Sequence, residues 1–271
     1  MMPISIKKGI AIGTVILALG GGIYLGGGKD EVSAIKLLEK YNASVEIKAK
    51  YVLEGTKLVK TEIKNAELDK YAGEPKDEIK VTLGNGGTEF TPDIELKRWN
   101  EVSFKLKPKG LDLIATKDKD LIFEGDKVKF KTPKMDFEMF DVPATATDEG
   151  SYKYIWYLNE KPASNIVSFD IETSGLDFFY QPALNVENTD PSLTCTETQC
   201  KDADGNIVSE RPENVVGSYV VYHSTKGGMN DVYGKDYKTG KAFHIYRPHL
   251  IDANGLEAWG NLHIENGIYS V

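Results

Sequence analysis

Cysteine, histidine and clustered positive charge are all scarce in this chain, and each scarcity removes a class of function. There are only 2 cysteines in 271 residues, Cys195 and Cys200 in LTCTETQCKDADGN. Their spacing excludes a CxxC redox pair, and no two further ligands stand nearby to complete a zinc site. Two thiols so placed predict a disulfide, which fits a protein outside the reducing cytoplasm. Closing so small a loop contributes about 2 kcal/mol and pins a local turn. Basic residues are outnumbered, 33 Lys and Arg against 41 Asp and Glu, for a net charge of -8. Phosphate backbones are bound by clustered Lys and Arg, so no nucleic-acid partner is expected. Where Lys is frequent, as in VEIKAKYVLEGTKLVKTEIKNAE, it alternates with acidic and apolar residues. That pattern is a solvated strand face rather than a basic groove.

Long hydrophobic runs are also missing, with one exception. MMPISIKKGIAIGTVILALGGGIYLGGGKDE places Lys7 and Lys8 before an uncharged run, Gly9–Gly28. As a helix rising ~1.5 Å per residue, this run would just cross a bilayer core of about 30 Å. Residues 1–29 are therefore expected to form a transmembrane anchor or a cleaved signal peptide, with Ala18-x-Gly20 as the small-residue cleavage site. The membrane, contacted through residues 9–28, is the expected partner. The Lys pair stays inside by the positive-inside rule, which leaves the remainder membrane-anchored and extracytoplasmic, or secreted.

Amphipathic helices are scarce too. DEVSAIKLLEKYN (30–42) is the one convincing example, with Val32, Ile35, Leu37 and Leu38 near helical spacing. Almost everything after it alternates with period two. SVEIKAKYVL, EVSFKLKP and DKVKFKTP each set apolar residues on one side and charged residues on the other, as half-buried antiparallel strands do. GNGG (84–87), PKG (108–110) and EGD (124–126) mark turns between them. DVPATATDEG (141–150) is small and polar and reads as a boundary. The expected fold class is all-β: the N-terminal membrane or signal helix and a short helix, followed by two antiparallel β-sandwich-like regions. The first region, with its helix, spans 30–143, a linker spans 144–150, and an aromatic-rich second region spans 151–271. The chain stops inside an apparent strand, so a fragment of a longer protein is expected.

Four stretches carry chemistry-bearing residues. FDIETSGLD resembles the first motif of the DEDD 3′–5′ exonucleases, whose Asp-x-Glu pair holds two divalent metals. The resemblance would make Asp170 and Glu172 metal ligands. The rest of that pattern is missing: Tyr233-Gly-Lys-Asp236 is one residue too short for the closing motif and His249-Leu-Ile-Asp252 two too short. No long amphipathic helix follows, so an exposed carboxylate pair on a hairpin strand is the stronger reading. Of 4 histidines, His223, His244 and His263 fall on three expected strands and would make a three-His zinc site if they shared a face. Scattered, half-exposed histidines are the expectation. Asp-Ala-Asp-Gly-Asn (202–206) resembles a calcium loop, but its Gly stands fourth rather than sixth. A tight turn is expected there, with a weak surface Ca²⁺ as the alternative and no other cofactor. Aromatic residues crowd the second region, and Tyr154, Trp156, Tyr246 and Trp259 are candidates for stacking on a sugar, although strand aromatics are more often core.

YKYIWYLNEKPASNIVSFDIETSGLDFFYQP, RPENVVGSYVVYH and GKAFHIYRPHLIDANG together resemble an uncharacterised β-rich region of surface or virion proteins from phages and uncultured bacteria. The resemblance implies a surface location and carries over no activity and no site residue. The expected function is thus a non-catalytic, membrane-anchored or secreted surface protein with a structural, adhesion or display role, whose partner is a glycan or another surface protein. A carbohydrate-binding module is the first alternative and the exonuclease the second.

Overall fold

A computed structural model describes residues 11–18, 52–54, 57–63, 78–84, 91–109, 121–124, 127–131, 135–142, 150–159, 161, 164–226, 240–265 and 268–270. In chain order the strands begin with β1 (Ala11–Ala18), β2 (Val52–Glu54), β3 (Lys57–Ile63), β4 (Glu78–Leu83), β5 (Ile94–Arg98) and β6 (Val102–Lys109). Next come β7 (Leu121–Glu124), β8 (Lys127–Lys131), β9 (Met135–Val142), β10 (Ser151–Leu158), β11 (Ser168–Ser174) and β12 (Leu176–Gln181). One helical turn, α1 (Leu184–Glu187), precedes β13 (Thr194–Cys195), β14 (Gln199–Lys201) and β15 (Ile207–Glu210). The last six are β16 (Ser218–His223), β17 (Lys241–Ile245), β18 (His249–Ile251), β19 (Glu257–Trp259), β20 (His263–Glu265) and β21 (Ile268–Ser270).

The protein is mostly β, as the alternating pattern predicts, and its strands form antiparallel sheets. The first sheet runs β12-β16-β17-β1-β10-β9-β8-β7, with β18 beside β1 and β19 beside β18. The second runs β2-β3-β4-β5-β6-β11-β21-β20, and a small third sheet is β13-β14-β15. Alternation decides which side chains meet. Ile79, Val81, Leu96, Phe104 and Leu106 turn inward from the second sheet, and Phe130, Phe137, Tyr154, Trp156, Val221 and Phe243 from the first, into one buried cluster. Rings lock the two layers together: Phe104 to Phe243 at 5.4 Å and Trp156 to Phe169 at 5.0 Å between centroids. The Arg98 guanidinium donates across the layers to the Ala242 carbonyl at 2.6 Å.

Three differences from expectation have physical causes. The apolar N-terminal segment is expected as a helix, yet Ala11–Ala18 is a strand, paired with β10 along its whole length, from Ala11↔Leu158 to Ala18↔Ser151. Ile12, Thr14, Val15 and Ile16 are β-branched and disfavour a helix beside so many glycines, and a short continuous apolar run suits a strand flanked on both sides. Among the described residues no helix is long and apolar enough to cross a membrane. The rest of the expected anchor and the expected helix over 30–42 lie outside the described residues. The two regions on either side of 144–150 also share both sheets. β9 and β10 pair across that stretch, Val142 opposite Ser151, and β6 pairs with β11 from Ser103↔Ser174 to Lys109↔Ser168. One core cluster draws on both. The cause is long-range pairing, to which local composition is blind.

The third difference concerns FDIETSGLD. Its Phe169–Ser174 belongs to β11 in the second sheet, and Leu176 begins β12 in the first. Gly175, at φ 69°, is the corner where the chain changes sheet. A Cβ there would lie 3.2 Å from the Glu101 carbonyl and 3.2 Å from Val102 Cγ1, so the close approach and the positive φ both favour glycine. The opposite hairpin, β5–β6, turns through Trp99 and Asn100 with φ of 56° and 57°, the backbone of a type I′ turn.

Candidate ligand-binding surface

Asp170 and Glu172 do point to one face, as the exonuclease motif requires, but lysines hold them. Lys109 Nζ lies 2.9 Å from Asp170 Oδ1, and Lys107 Nζ bonds Glu172 Oε1. These are diagonal cross-strand pairs on an open sheet face. The Lys107 bond is the main cause lowering the Glu172 pKa, and the same bond raises that of Lys107. The carboxylates belong to a β6–β11 charge ladder, and among the described residues no three His, Cys, Asp or Glu side chains gather as a metal set.

The three histidines do not converge. His263 is exposed on β20 in the second sheet, whereas His223 and His244 stand on β16 and β17 in the first. His223 Nδ1 accepts the backbone N–H groups of Thr225 and Lys226, each at 3.2 Å, which leaves Nε2 to donate to Glu101 Oε2 at 3.3 Å. His244 is buried, 2.6 Å from Ser218 Oγ, and stacks on Tyr246 with centroids 4.3 Å apart. This serine–histidine pair resembles a nucleophile and base. Ser218, however, is 0% exposed and donates its one hydroxyl proton to the Val215 carbonyl at 2.5 Å, so Oγ accepts from His244. Burial, helped by nearby Lys241, drops the His244 pKa to about 3 and keeps the ring neutral. The pair is a structural clasp.

Cys195 and Cys200 form the expected disulfide. They are directly opposed on β13 and β14, with Cα atoms 4.1 Å apart and an S–S bond of 2.07 Å. Residues 202–206 form the expected tight turn, closed by the backbone bonds Asp202 N–H to Asn206 O and Gly205 N–H to Asp202 O, both 3.0 Å. Asp202 Oδ1 accepts the N–H groups of Asp204 and Asn206, and Oδ2 the Asn206 amide, so the turn itself uses both oxygens expected of a calcium ligand. Asp252–Leu256 repeats this turn between β18 and β19.

Of the candidate stacking aromatics, Tyr154 and Trp156 are core residues, 3% and 2% exposed. They stand on the inward phase of β10, and Tyr154 Oη donates to the Pro92 carbonyl at 2.8 Å. Tyr246 is taken up by His244. Among the described residues, the core space bounded by Leu83, Pro92, Val128, Phe130 and Tyr154 is about 20 Å³, room for one water.

Trp259 lies elsewhere, in a half-exposed surface cluster at the end of the first sheet. The Arg247 guanidinium stacks 4.8 Å from its ring, and Trp259 Nε1 points to Glu213 Oε2 at 3.4 Å. His249 packs against the same indole at 4.8 Å and bonds Glu257 at 2.9 Å. Gly217, at φ 76°, opens the floor: a Cβ there would meet Arg247 Cδ at 3.5 Å and Tyr180 Oη at 3.9 Å. The Tyr180 ring is 50% exposed beside this opening. Among the described residues Arg247 has no hydrogen bond and no ion pair, and its Nε is buried without a partner. Partial burial lowers its pKa, opposed by the fields of Glu197 and Glu213. Arg247, Glu213 and Gly217 are absent from the sequence expectations. Only Arg-Pro interrupting KAFHIYRPH marks the place where a strand breaks at the surface. No family model, curated protein or solved structure matches the chain.

Proposed function

We propose that the chain is a non-catalytic surface protein of an oxidising, extracytoplasmic compartment, acting in adhesion, display or structure. The observation that carries this reading is the Cys195–Cys200 disulfide. It staples a three-stranded sheet whose β15 is exposed along its whole length and whose buried contribution is small. A segment with so little core depends on a covalent clamp, and such clamps persist where the surroundings are oxidising. The pairing of Asp170 and Glu172 with lysines and the burial of Ser218 with His244 support a binding role over a chemical one.

Expression of the full chain in bacteria, with thiols alkylated before lysis and intact cells treated with external protease, tests the proposal. The expected result is an oxidised Cys195–Cys200 pair, read by mass spectrometry, in protein that external protease degrades. Free thiols in protected protein would place the chain in the cytoplasm and overturn the reading.

A further inference from the structure

We infer that Tyr180, Glu213, Gly217, Arg247 and Trp259 form a subsite for the hydroxyl groups of a neutral glycan. This inference does not depend on the compartment. An arginine with five N–H donors and no protein acceptor is uncommon on a folded surface, because even a half-buried guanidinium normally finds a carboxylate or carbonyl. Arg247 lies over the Trp259 ring rather than against a counter-ion, and although its Nε is buried, its terminal N–H groups are left to a ligand. Glu213 supplies acceptors beside them, oriented by the indole N–H. Vicinal sugar hydroxyls both accept and donate, and donors beside acceptors match that chemistry. An anion is the poorer fit: Glu197 and Glu213 both raise the Arg247 pKa through their fields, so two negative charges flank one positive. Tyr180 offers a half-exposed ring for the apolar face of a pyranose. Gly217 keeps the floor between ring and guanidinium clear, since any side chain would fill it.

Affinity electrophoresis of the full chain tests this, through gels holding a soluble β-glucan, α-glucan, mannan or galactan and, separately, the anionic polygalacturonate. At least one neutral polysaccharide is expected to retard the protein. Arg247→Met and Tyr180→Ala should each weaken that retardation tenfold or more, with melting unchanged. Phe179→Ala, whose ring projects from the opposite face of the same strand, should migrate as the parent does. Retardation by polygalacturonate alone would overturn the neutral-glycan assignment. So would equal mobility in every gel, or neutral binding that survives both substitutions. The compartment test above is a separate readout, so either reading can fail alone.

Discussion

Replacing both cysteines by alanine, Cys195→Ala with Cys200→Ala, removes a clamp whose effect the structure confines to one corner. The closed loop is short, with partners 5 positions apart, so the chain-entropy model gives about 2 kcal/mol. Alanine is the right replacement because Cys200 is 1% exposed and serine would bury a hydroxyl. The Asn188 amide, which donates to Cys195 Sγ at 2.9 Å, loses only a weak acceptor. The loss falls on the small third sheet, which packs little apolar surface onto the two large sheets. It should open by itself, well below the free energy of global unfolding. Hydrogen exchange reads this directly. The amides of Thr196, bonded to Gln199 O at 2.7 Å, and Arg211, bonded to Thr198 O at 2.8 Å, report the small sheet. Both should exchange roughly thirtyfold faster, the equivalent of 2 kcal/mol. Amides of β6 and β10 in the two large sheets should keep their rates. Equal acceleration in both places would refute the reasoning, because the small sheet would then be part of the global cooperative unit. Unchanged rates at Thr196 and Arg211 would show that the disulfide restrains nothing.

Three other perturbations have signs fixed by the structure. His244 titrates near pH 3 when folded and near 6.5 when unfolded, so below pH 6.5 the unfolded chain takes up a proton that the native state refuses. Stability is therefore complete above that pH and falls by up to about 1.4 kcal/mol per pH unit on acidification towards 3. His244→Gln should flatten this slope in denaturant melts between pH 6.5 and 4.5, and an unchanged slope would exclude His244 as its source. The buried Lys127–Glu138 pair, 2.7 Å apart with both side chains under a tenth exposed, should cost about 1–3 kcal/mol when Lys127→Met removes one partner of a carboxylate that keeps Lys129 Nζ at 3.8 Å. Adding Glu138→Leu should restore most of that in urea unfolding, and failure to do so would mean the lysine stem carries the energy. Asn100→Ala should destabilise by roughly 1 kcal/mol, because alanine lacks the local bonding that lets asparagine hold φ 57°. Asn100→Gly should be neutral or slightly stabilising, and thermal melts separate the two.

Local features were legible in the sequence where one residue pattern has one structural outcome. The alternation in EVSFKLKP gave β6 with Val102, Phe104 and Leu106 inward, and two cysteines with no other partner gave the disulfide. Two positions were ambiguous because the same pattern serves two ends. An apolar run such as AIGTVILA fits a membrane helix or a central strand, and only its pairing with β10 decides. Tyr154 and Trp156 are as aromatic as a sugar platform, but the inward phase of β10 is set by which strands flank it. Sheet membership across 144–150 was illegible because it depends on partners far apart in sequence. The ligand surface was the least visible. Arg247, Glu213 and Tyr180 come from three separate segments and carry no shared motif.

The position of β1 has a consequence for biosynthesis. Its partners are Leu158 to Ser151 on one side and Ile245, His244 and residues 249–251 on the other. The ribosome therefore makes AIGTVILA well before the slot that receives it, which is incomplete until His249 to Ile251 have emerged. Until Ser151 to Leu158 are made the nascent chain carries an apolar strand with both edges unpaired, the kind of segment that chaperones capture and that aggregates when they do not. Domain-by-domain folding during synthesis cannot complete this sheet. The first sheet closes only after residues 249–251 have been made, with Ile12 finding its partner Tyr157 far along the chain.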